Sequence, residues 1–204
     1  MRLFLRIAGF AVLLAMLLTP VIAPAKVVVT ETTRYYKVKG KNGLEVSRAM
    51  LSGGARNINM RDAIAATSTR FDISDAKVAV KGKKCVVERV NVKLDIIYLY
   101  PQWSNKPSAS ALTQKNWNAF YAELLKHERM HGTIAKNAAK RIDKELLKLS
   151  GTLANGCRDF GRFTEQRFGL IAKALKRDQL AFDAKENLKS SKITKLQVLL
   201  LKSK

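Results

Sequence analysis

Residues 114–149 read QKNWNAFYAELLKHERMHGTIAKNAAKRIDKELLKL and form the strongest helical pattern in the chain. Apolar side chains recur in it at intervals of three and four, no proline interrupts it, and Gly151 follows as a stop. The pattern predicts one long amphipathic helix with Thr113 as its N-cap. The predicted apolar stripe consists of Trp117, Phe120, Leu124, His127, His131, Ile134, Ala138 and Ile142.

The part of the chain before this helix is rich in β-branched residues. Residues 27–38 and 77–80 predict strands, a turn is expected at 81–84, and residues 63–73 fit a helix or a strand equally well. Alternation with a period of two predicts a further strand over 86–100, which Pro101 should stop. One face of it would carry Val86, Glu88, Val90, Val92, Leu94 and Ile96, and the other Val87, Arg89, Asn91, Lys93 and Asp95.

Shorter helical segments complete the expected fold. A short helix is expected over 44–51, a second long helix from about Thr164, and residues 190–204 could form a final helix, a strand or a mobile end. The sequence therefore predicts an α+β domain over residues 26–204, in which a small sheet packs on the long helix and on a second, C-terminal helix.

The first 25 residues read as a signal peptide. Arg2 and Arg6 precede an apolar run over 7–18, and Ala23-Pro24-Ala25 has the form of a cleavage site. An uncleaved anchor helix is the alternative, but the run is short for a bilayer span. We therefore expect a periplasmic or secreted protein with no stable membrane span after cleavage.

The chain is strongly basic, with a formal charge of +22. The leader holds two arginines and no acidic residue, so its removal would leave +20. Such a charge favours anionic envelope surfaces or acidic partners, and a merely soluble basic surface explains it equally well. Nucleic acid is disfavoured as a partner, because the basic residues are spread over an exported chain without a recognisable nucleic-acid-binding motif.

Cys85 and Cys157 are the two cysteines. In an oxidising compartment an even pair favours one disulfide, which would tie the first half of the domain to the segment after the long helix. Two buried thiols are the alternative.

Both histidines of the chain lie in the motif His127-Glu128-Arg129-Met130-His131. Residues four apart on a helix project from one face, so the two imidazoles can reach one Zn²⁺ at about 2.0–2.1 Å. The intervening glutamate can act as general base on a water at the metal. Two core histidines are the simpler alternative, but the strong helix and the expected export favour a metal site.

A catalytic zinc usually has three protein ligands and one open position. The metzincin pattern requires a histidine where this chain has Asn137, so that class is excluded. The third ligand must then be a carboxylate, or else the metal site is incomplete. The second long helix offers four candidates, any of which could instead be an ordinary surface carboxylate: Glu165, Asp178, Asp183 and Glu186.

These features predict a zinc-dependent metallopeptidase that hydrolyses a peptide or protein substrate, with Glu128 as the catalytic base. The competing class is a catalytically degenerate zincin that binds an anionic envelope partner through its charge. Glu128 separates the two classes, because a binding protein has no use for a general base beside a metal. The strand over 86–100 is either an ordinary core strand or an edge that receives the substrate by β-augmentation.

Further elements accompany the HExxH motif and the two cysteines, namely Tyr35-Tyr36-Lys37-Val38-Lys39-Gly40, Pro101-Gln102-Trp103, Trp117, Phe120, Leu124 and Phe182-Asp183. In this combination the chain resembles, over most of its length after the leader, a bacterial family of predicted secreted zinc-dependent proteases that is labelled a domain of unknown function. The HExxH motif is the specific one, and the other elements support it together.

The resemblance implies a zincin-like metallopeptidase fold, a zinc site at His127 and His131, a catalytic Glu128, and Asp183 as a ligand through the aromatic-Asp element. The chain departs from the family after that aspartate. Family members often carry a Thr and then His-Gly, where this chain reads Ala184-Lys185-Glu186-Asn187-Leu188-Lys189. If that histidine is a ligand elsewhere, Asp183 or a neighbouring carboxylate must serve here.

Overall fold

The computed structural model describes residues 26–53, 63–153 and 155–204, so the expected signal peptide lies outside the described residues. A 3-10 turn, Lys106–Ser108, precedes the long helix that carries the HExxH motif. The elements in chain order are β1 (Lys26–Val38), α1 (Gly43–Gly53), β2 (Ala66–Lys81), β3 (Lys84–Trp103), α2 (Ala111–Leu147), α3 (Phe160–Glu186) and α4 (Lys192–Leu201).

The three strands form one sheet in the order β1-β3-β2, with β3 in the centre. β1 runs parallel to β3, and β2 runs antiparallel to it. β2 and β3 are joined by the predicted tight turn, in which Gly82 has a φ of 62°, a conformation that glycine adopts without a steric cost. Of the two alternatives for residues 63–73, the strand is the one found, because β2 begins at Ala66.

Helix α2 packs along one face of the sheet, and α3 and α4 pack against α2. The side chains that α2 buries recur at three and four, as the sequence predicts for an amphipathic helix. They are Thr113, Trp117, Phe120, Leu124, Glu128, Gly132, Ala135, Ala138, Ala139, Ile142 and Leu146. The mixed α+β architecture with a small sheet on a long helix is confirmed.

The alternation predicted for β3 is correct from Val90 onward and wrong before it. The structure buries Cys85 and Val87, whereas Val86 and Glu88 are partly exposed. The pairing of β2 with β3 skips Glu88, since Lys77 pairs with Arg89 and Val78 with Val87. Such a bulge shifts the alternation by one residue and so exchanges the two faces.

Two predicted boundaries are also wrong. β3 continues through Pro101 to Trp103, because β2 pairs with β3 only as far as Leu99. Among the described residues none pairs with β3 on the β2 side beyond Leu99, so a residue without an N–H is tolerated there. Helix α2 is capped by Ser110, whose hydroxyl accepts a hydrogen bond of 3.2 Å from the backbone N–H of Thr113, itself inside the helix.

The C-terminal half is helical throughout its main segments. α3 begins at Phe160, earlier than expected, and α4 (Lys192–Leu201) lies within the segment 190–204, for which a helix is one of the expected alternatives. The expected disulfide between Cys85 and Cys157 is present, with Cα atoms 4.7 Å apart, and it ties the start of β3 to the segment that leads into α3. No helix within the described residues is long and apolar enough to cross a membrane.

Candidate metal site

The HExxH motif lies in the middle of α2, and its residues take different faces. Glu128 belongs to the stripe that faces the sheet, between Leu124 and Gly132, and is only 3% exposed. His127 and His131 lie on the flank that faces α3, with side chains 13% exposed. The sequence placed the histidines on the inner stripe, whereas the glutamate is the more deeply buried group.

Three ligand atoms from two helices converge at this flank. The Nε2 atoms of His127 and His131 are 3.1 Å apart. Oδ1 of Asp183, from α3, lies 2.9 Å from Nε2 of His131 and 3.4 Å from Nε2 of His127. Within the described ranges, these residues form the group of histidine, cysteine and acidic side chains that is close enough to share one metal ion.

The last two turns of α3 position the carboxylate. Phe182 packs its ring against both imidazoles, with centroid distances of 4.9 Å to His127 and 5.0 Å to His131. This contact holds α3 against the histidine flank of α2 and turns the next residue, Asp183, toward the two Nε2 atoms. In the aromatic-Asp pair, Phe182 therefore packs against the imidazoles, and Asp183 provides the third converging atom.

Gln179, one helical turn before Asp183, holds His131 at two points. Its Nε2 donates a hydrogen bond of 3.1 Å to the backbone oxygen of His131, and its Oε1 accepts one from Nδ1 of the same residue. The orientation of the amide follows from the first bond, because a backbone carbonyl can only accept. Nδ1 therefore carries the hydrogen in neutral His131, and the lone pair is on Nε2, the atom in the convergent group.

The surroundings of His127 favour its neutral form. Burial lowers its pKa most, and the neighbouring His131 lowers it further, against the opposing effect of Asp183. A neutral imidazole has a lone pair to offer. Its Nδ1 is buried without a hydrogen-bond partner among the described residues, so it lacks the support that Gln179 gives to His131.

Glu128 makes its hydrogen bond across the helix–sheet interface. The hydroxyl of Thr67, in β2, donates to Oε2 of Glu128 at 2.6 Å and lies 3.1 Å from the backbone oxygen of the same residue. Burial raises the pKa of the Glu128 carboxyl, and the hydrogen bond from Thr67 opposes that rise. The result is a desolvated carboxylate with a fixed orientation.

The convergent group has the dimensions of a zinc site. Ligand bonds of about 2.0–2.1 Å in a tetrahedron place ligand atoms about 3.3 Å apart, and the three observed separations run from 2.9 to 3.4 Å. Lone pairs this close repel one another unless a cation, either a proton or a metal ion, lies among them. Two imidazoles and one carboxylate also leave a fourth position for water or substrate, as in catalytic zinc sites.

The other candidate carboxylates of α3 do not join this group. Asp178 contacts Arg177 at 3.1 Å, and Glu165 is exposed. Glu186 acts on His127 only through a weaker electrostatic interaction that raises its pKa. Of the four carboxylates considered from the sequence, Asp183 is the one that reaches both histidines.

A cavity of about 740 Å³ opens at these residues and is lined by His127, Glu128, His131 and Asp183. Thr67 and Thr69 of β2 also line it.

The strand predicted over 86–100 is the central strand β3, so it cannot receive a peptide by β-augmentation. Of the two roles expected for it, that of an ordinary core strand is the one found. Tyr98, Tyr100 and Trp103 of β3 are buried core residues.

Two residues of the site, Gln179 and Thr67, were not predicted from the sequence. Gln179 could have been found, because it precedes Asp183 by four residues and so lies on the same face of α3. Thr67 carried no comparable signal: it is 61 residues from Glu128 and reaches it only through the packing of β2 on α2.

Comparison with known proteins gives a family and no function. No curated protein sequence and no solved structure matches the chain. A family model described as a bacterial protein of unknown function (DUF922) matches residues 33–190. The matched span contains both cysteines, the HExxH motif, Gln179 and Asp183, and it covers well over half of the sequence. The chain therefore belongs to this bacterial DUF922 family.

Proposed function

We propose that this protein is a zinc-dependent metallopeptidase that acts in the periplasm or outside the cell. One observation carries the proposal: Nε2 of His127, Nε2 of His131 and Oδ1 of Asp183 converge beside a cavity that also contains the buried carboxylate of Glu128. A metal site with an adjacent desolvated carboxylate is the arrangement that metal-assisted hydrolysis requires.

In this proposal the two histidines and Asp183 hold the metal, and Gln179 keeps His131 in the tautomer that can bind it. A zinc ion bound there would acidify a water and polarise the carbonyl of the scissile bond. Glu128 takes a proton from the water that attacks the carbonyl carbon, and it delivers that proton to the amine nitrogen as the C–N bond breaks. Thr67 orients the Glu128 carboxylate for both transfers.

The peptide reaches the site past β2 in this proposal, because β2 lies at an edge of the sheet and contributes Thr67 and Thr69 to the cavity. The runner-up function, a degenerate zincin that binds an anionic envelope partner, draws on the charge of +22. That function leaves the buried Glu128 without a role, since an unused buried carboxylate destabilises the fold.

The test is the metal content and the peptidase activity of the purified protein. We expect about one zinc per chain in wild type. Glu128→Gln should keep the metal and lose about 10²–10⁴-fold in hydrolysis of a casein-type substrate, because it removes only the base. His131→Ala and Asp183→Ala should lose the metal.

Asp178→Ala is the matched control, because Asp178 is on the same helix and pairs with Arg177 instead of the histidines. It should keep both metal and activity. Wild-type protein that binds no zinc after reconstitution would rule out the metallopeptidase. Zinc binding without hydrolysis, together with binding to anionic vesicles, would favour the envelope-binding alternative.

A further inference from the structure

The cavity at the candidate metal site extends along α2 toward its N-terminal half and becomes apolar there. Phe120 and Leu124 of α2, Leu175 of α3 and Ile193 of α4 line this part. Phe120 and Leu124 are at most 4% exposed and form its floor, whereas Leu175 and Ile193 are partly exposed. At about 740 Å³ the whole cavity is within the range of about 300–1,000 Å³ that is usual for ligand sites.

Two exposed leucines border the same cavity. Leu51 is 46% exposed and Leu180 is 58% exposed, and both line it. A single exposed leucine needs no explanation. Two of them on different helices, continuous with a buried apolar floor, make an apolar surface that a ligand would cover.

Few charged side chains line the cavity. The chain has 38 lysines and arginines, but among the described residues that line the cavity Lys176 is the one lysine or arginine. Two acidic side chains, Glu128 and Asp183, line it as well. The basic side chains that give the protein its net charge are thus not concentrated at this cavity, so that charge does not select the occupant.

Polar groups surround the apolar part without filling it. Gln197 of α4 and Thr69 of β2 contribute an amide and a hydroxyl group to the lining. Such groups can bind the backbone of an extended peptide while its side chains enter the apolar part. A hydrocarbon chain alone would leave them without partners, which is unfavourable.

We infer that this cavity selects polypeptides with large apolar side chains next to the bond that reaches the metal site. The inference deepens the proposed function and rests on it, in that the bound polypeptide is the substrate. Peptides with acidic or basic residues at the same position should bind more weakly, because those residues lose hydration on the apolar floor without gaining a partner.

The test measures binding without turnover, in the Glu128→Gln protein. Three fluorescent peptides of equal length would carry two leucines, two aspartates or two lysines at their centre. The leucine peptide should bind at least about tenfold more tightly than either charged peptide. Adding Leu180→Gln should weaken the leucine peptide about three- to tenfold. Leu170→Gln should leave it unchanged, since Leu170 lies on the same helix and is 63% exposed but does not line the cavity.

Equal binding of the three peptides, no binding of any, or an equal effect of Leu170→Gln would overturn the inference. So would displacement of a fluorescent fatty acid from a protein that binds none of the peptides. A leucine preference in a protein that binds no zinc would retain the cavity as an apolar peptide site and reject the peptidase instead. The two proposals can therefore fail separately.

Discussion

Gln179 contacts His131 through both ends of its amide, accepting a hydrogen bond from Nδ1 and donating one of 3.1 Å to the backbone oxygen. The pair joins α3 to α2 one helical turn away from Asp183. A metal-binding histidine commonly donates a hydrogen bond from its second ring nitrogen to such a partner, and this bond sets the tautomer and the orientation of the ring.

Removal of this support should weaken metal binding without unfolding the protein. Gln179→Leu keeps the size of the side chain and removes both hydrogen bonds, so zinc affinity should fall about 10–100-fold. The measurement is competition with a chromophoric chelator. Gln166→Leu, an exposed position on the same helix, is the control and should keep the wild-type affinity. Equal affinities for both variants would mean that Gln179 is a packing residue only.

The glycine after the HExxH motif should be intolerant of a methyl group. A Cβ at Gly132 would lie 2.1 Å from the hydroxyl oxygen of Tyr98 and 3.0 Å from its Cζ atom. We expect Gly132→Ala to lower the free energy of unfolding by about 1–3 kcal/mol, although alanine is the better helix former. Urea denaturation would measure the loss.

Two further variants make this prediction specific. Tyr98→Phe removes the hydroxyl, so Gly132→Ala should cost less in that background than in wild type. Gly169→Ala, on α3, meets nothing within 4 Å and should stabilise by about 0.8–1 kcal/mol. An equal cost of Gly132→Ala in both backgrounds would show that Tyr98 is not the obstacle.

The periodicity of α2 and the alternation in β3 from Val90 onward could be read from the sequence, because both elements are long and keep one buried face. The bulge at Glu88 could not. It depends on the register with which β2 pairs with β3 after a two-residue turn, and the residues around Glu88 fit either phase. Residues 63–73 were ambiguous for a similar reason, since only pairing with β3 decides in favour of a strand.

The residues of the candidate site also differ in whether the sequence could predict them. His127, Glu128 and His131 could be named from spacing on one helix, because their relation is local. Asp183 remained one of four carboxylates, since the choice depends on which face of α3 meets α2. Gln179 and Thr67 support the site through contacts between elements that are distant in the sequence, and nothing in the sequence around Thr67 indicates its role.

A partly buried carboxyl group on α2 should make stability depend on pH. Burial raises the pKa of Asp143, and its Oδ1 has no hydrogen-bond partner among the described residues. The folded state therefore binds the proton more tightly than the unfolded state, and wild type loses stability as pH rises through this window. Asp143→Asn should raise the melting temperature at neutral pH, and this gain should disappear below about pH 3.9, where the carboxyl is protonated in both states.

Glu145, two residues further along α2, is the control with the opposite sign. Its hydrogen bond with Lys148 lowers its pKa, so this carboxylate stabilises the fold above its unfolded pKa and loses that effect as pH falls. Glu145→Gln should lower the melting temperature slightly at neutral pH and have no effect in acid. A gain for Asp143→Asn that persists unchanged in acid would indicate a cause other than ionisation.

The disulfide should stabilise the fold without contributing to metal binding. It closes a separation of 72 residues between Cys85 and Cys157, for which chain entropy predicts about 4 kcal/mol of stabilisation. Backbone hydrogen bonds also join the two segments, with Gly151 donating to the oxygen of Cys85 at 2.7 Å and Gly156 to that of Lys83 at 3.1 Å. Reduction should therefore loosen this end of the domain but leave α2 and α3 in contact at the histidines.

Urea denaturation with and without a phosphine reductant measures that contribution. The midpoint for wild type should fall on reduction, and a Cys85→Ala/Cys157→Ala variant should have the lower midpoint under both conditions. Zinc affinity measured in native buffer should be the same for the oxidised protein and for this variant, because the ligands lie on α2 and on the far end of α3. A variant that loses the metal while remaining folded would show that the disulfide positions α3, and hence Asp183, on the histidine pair.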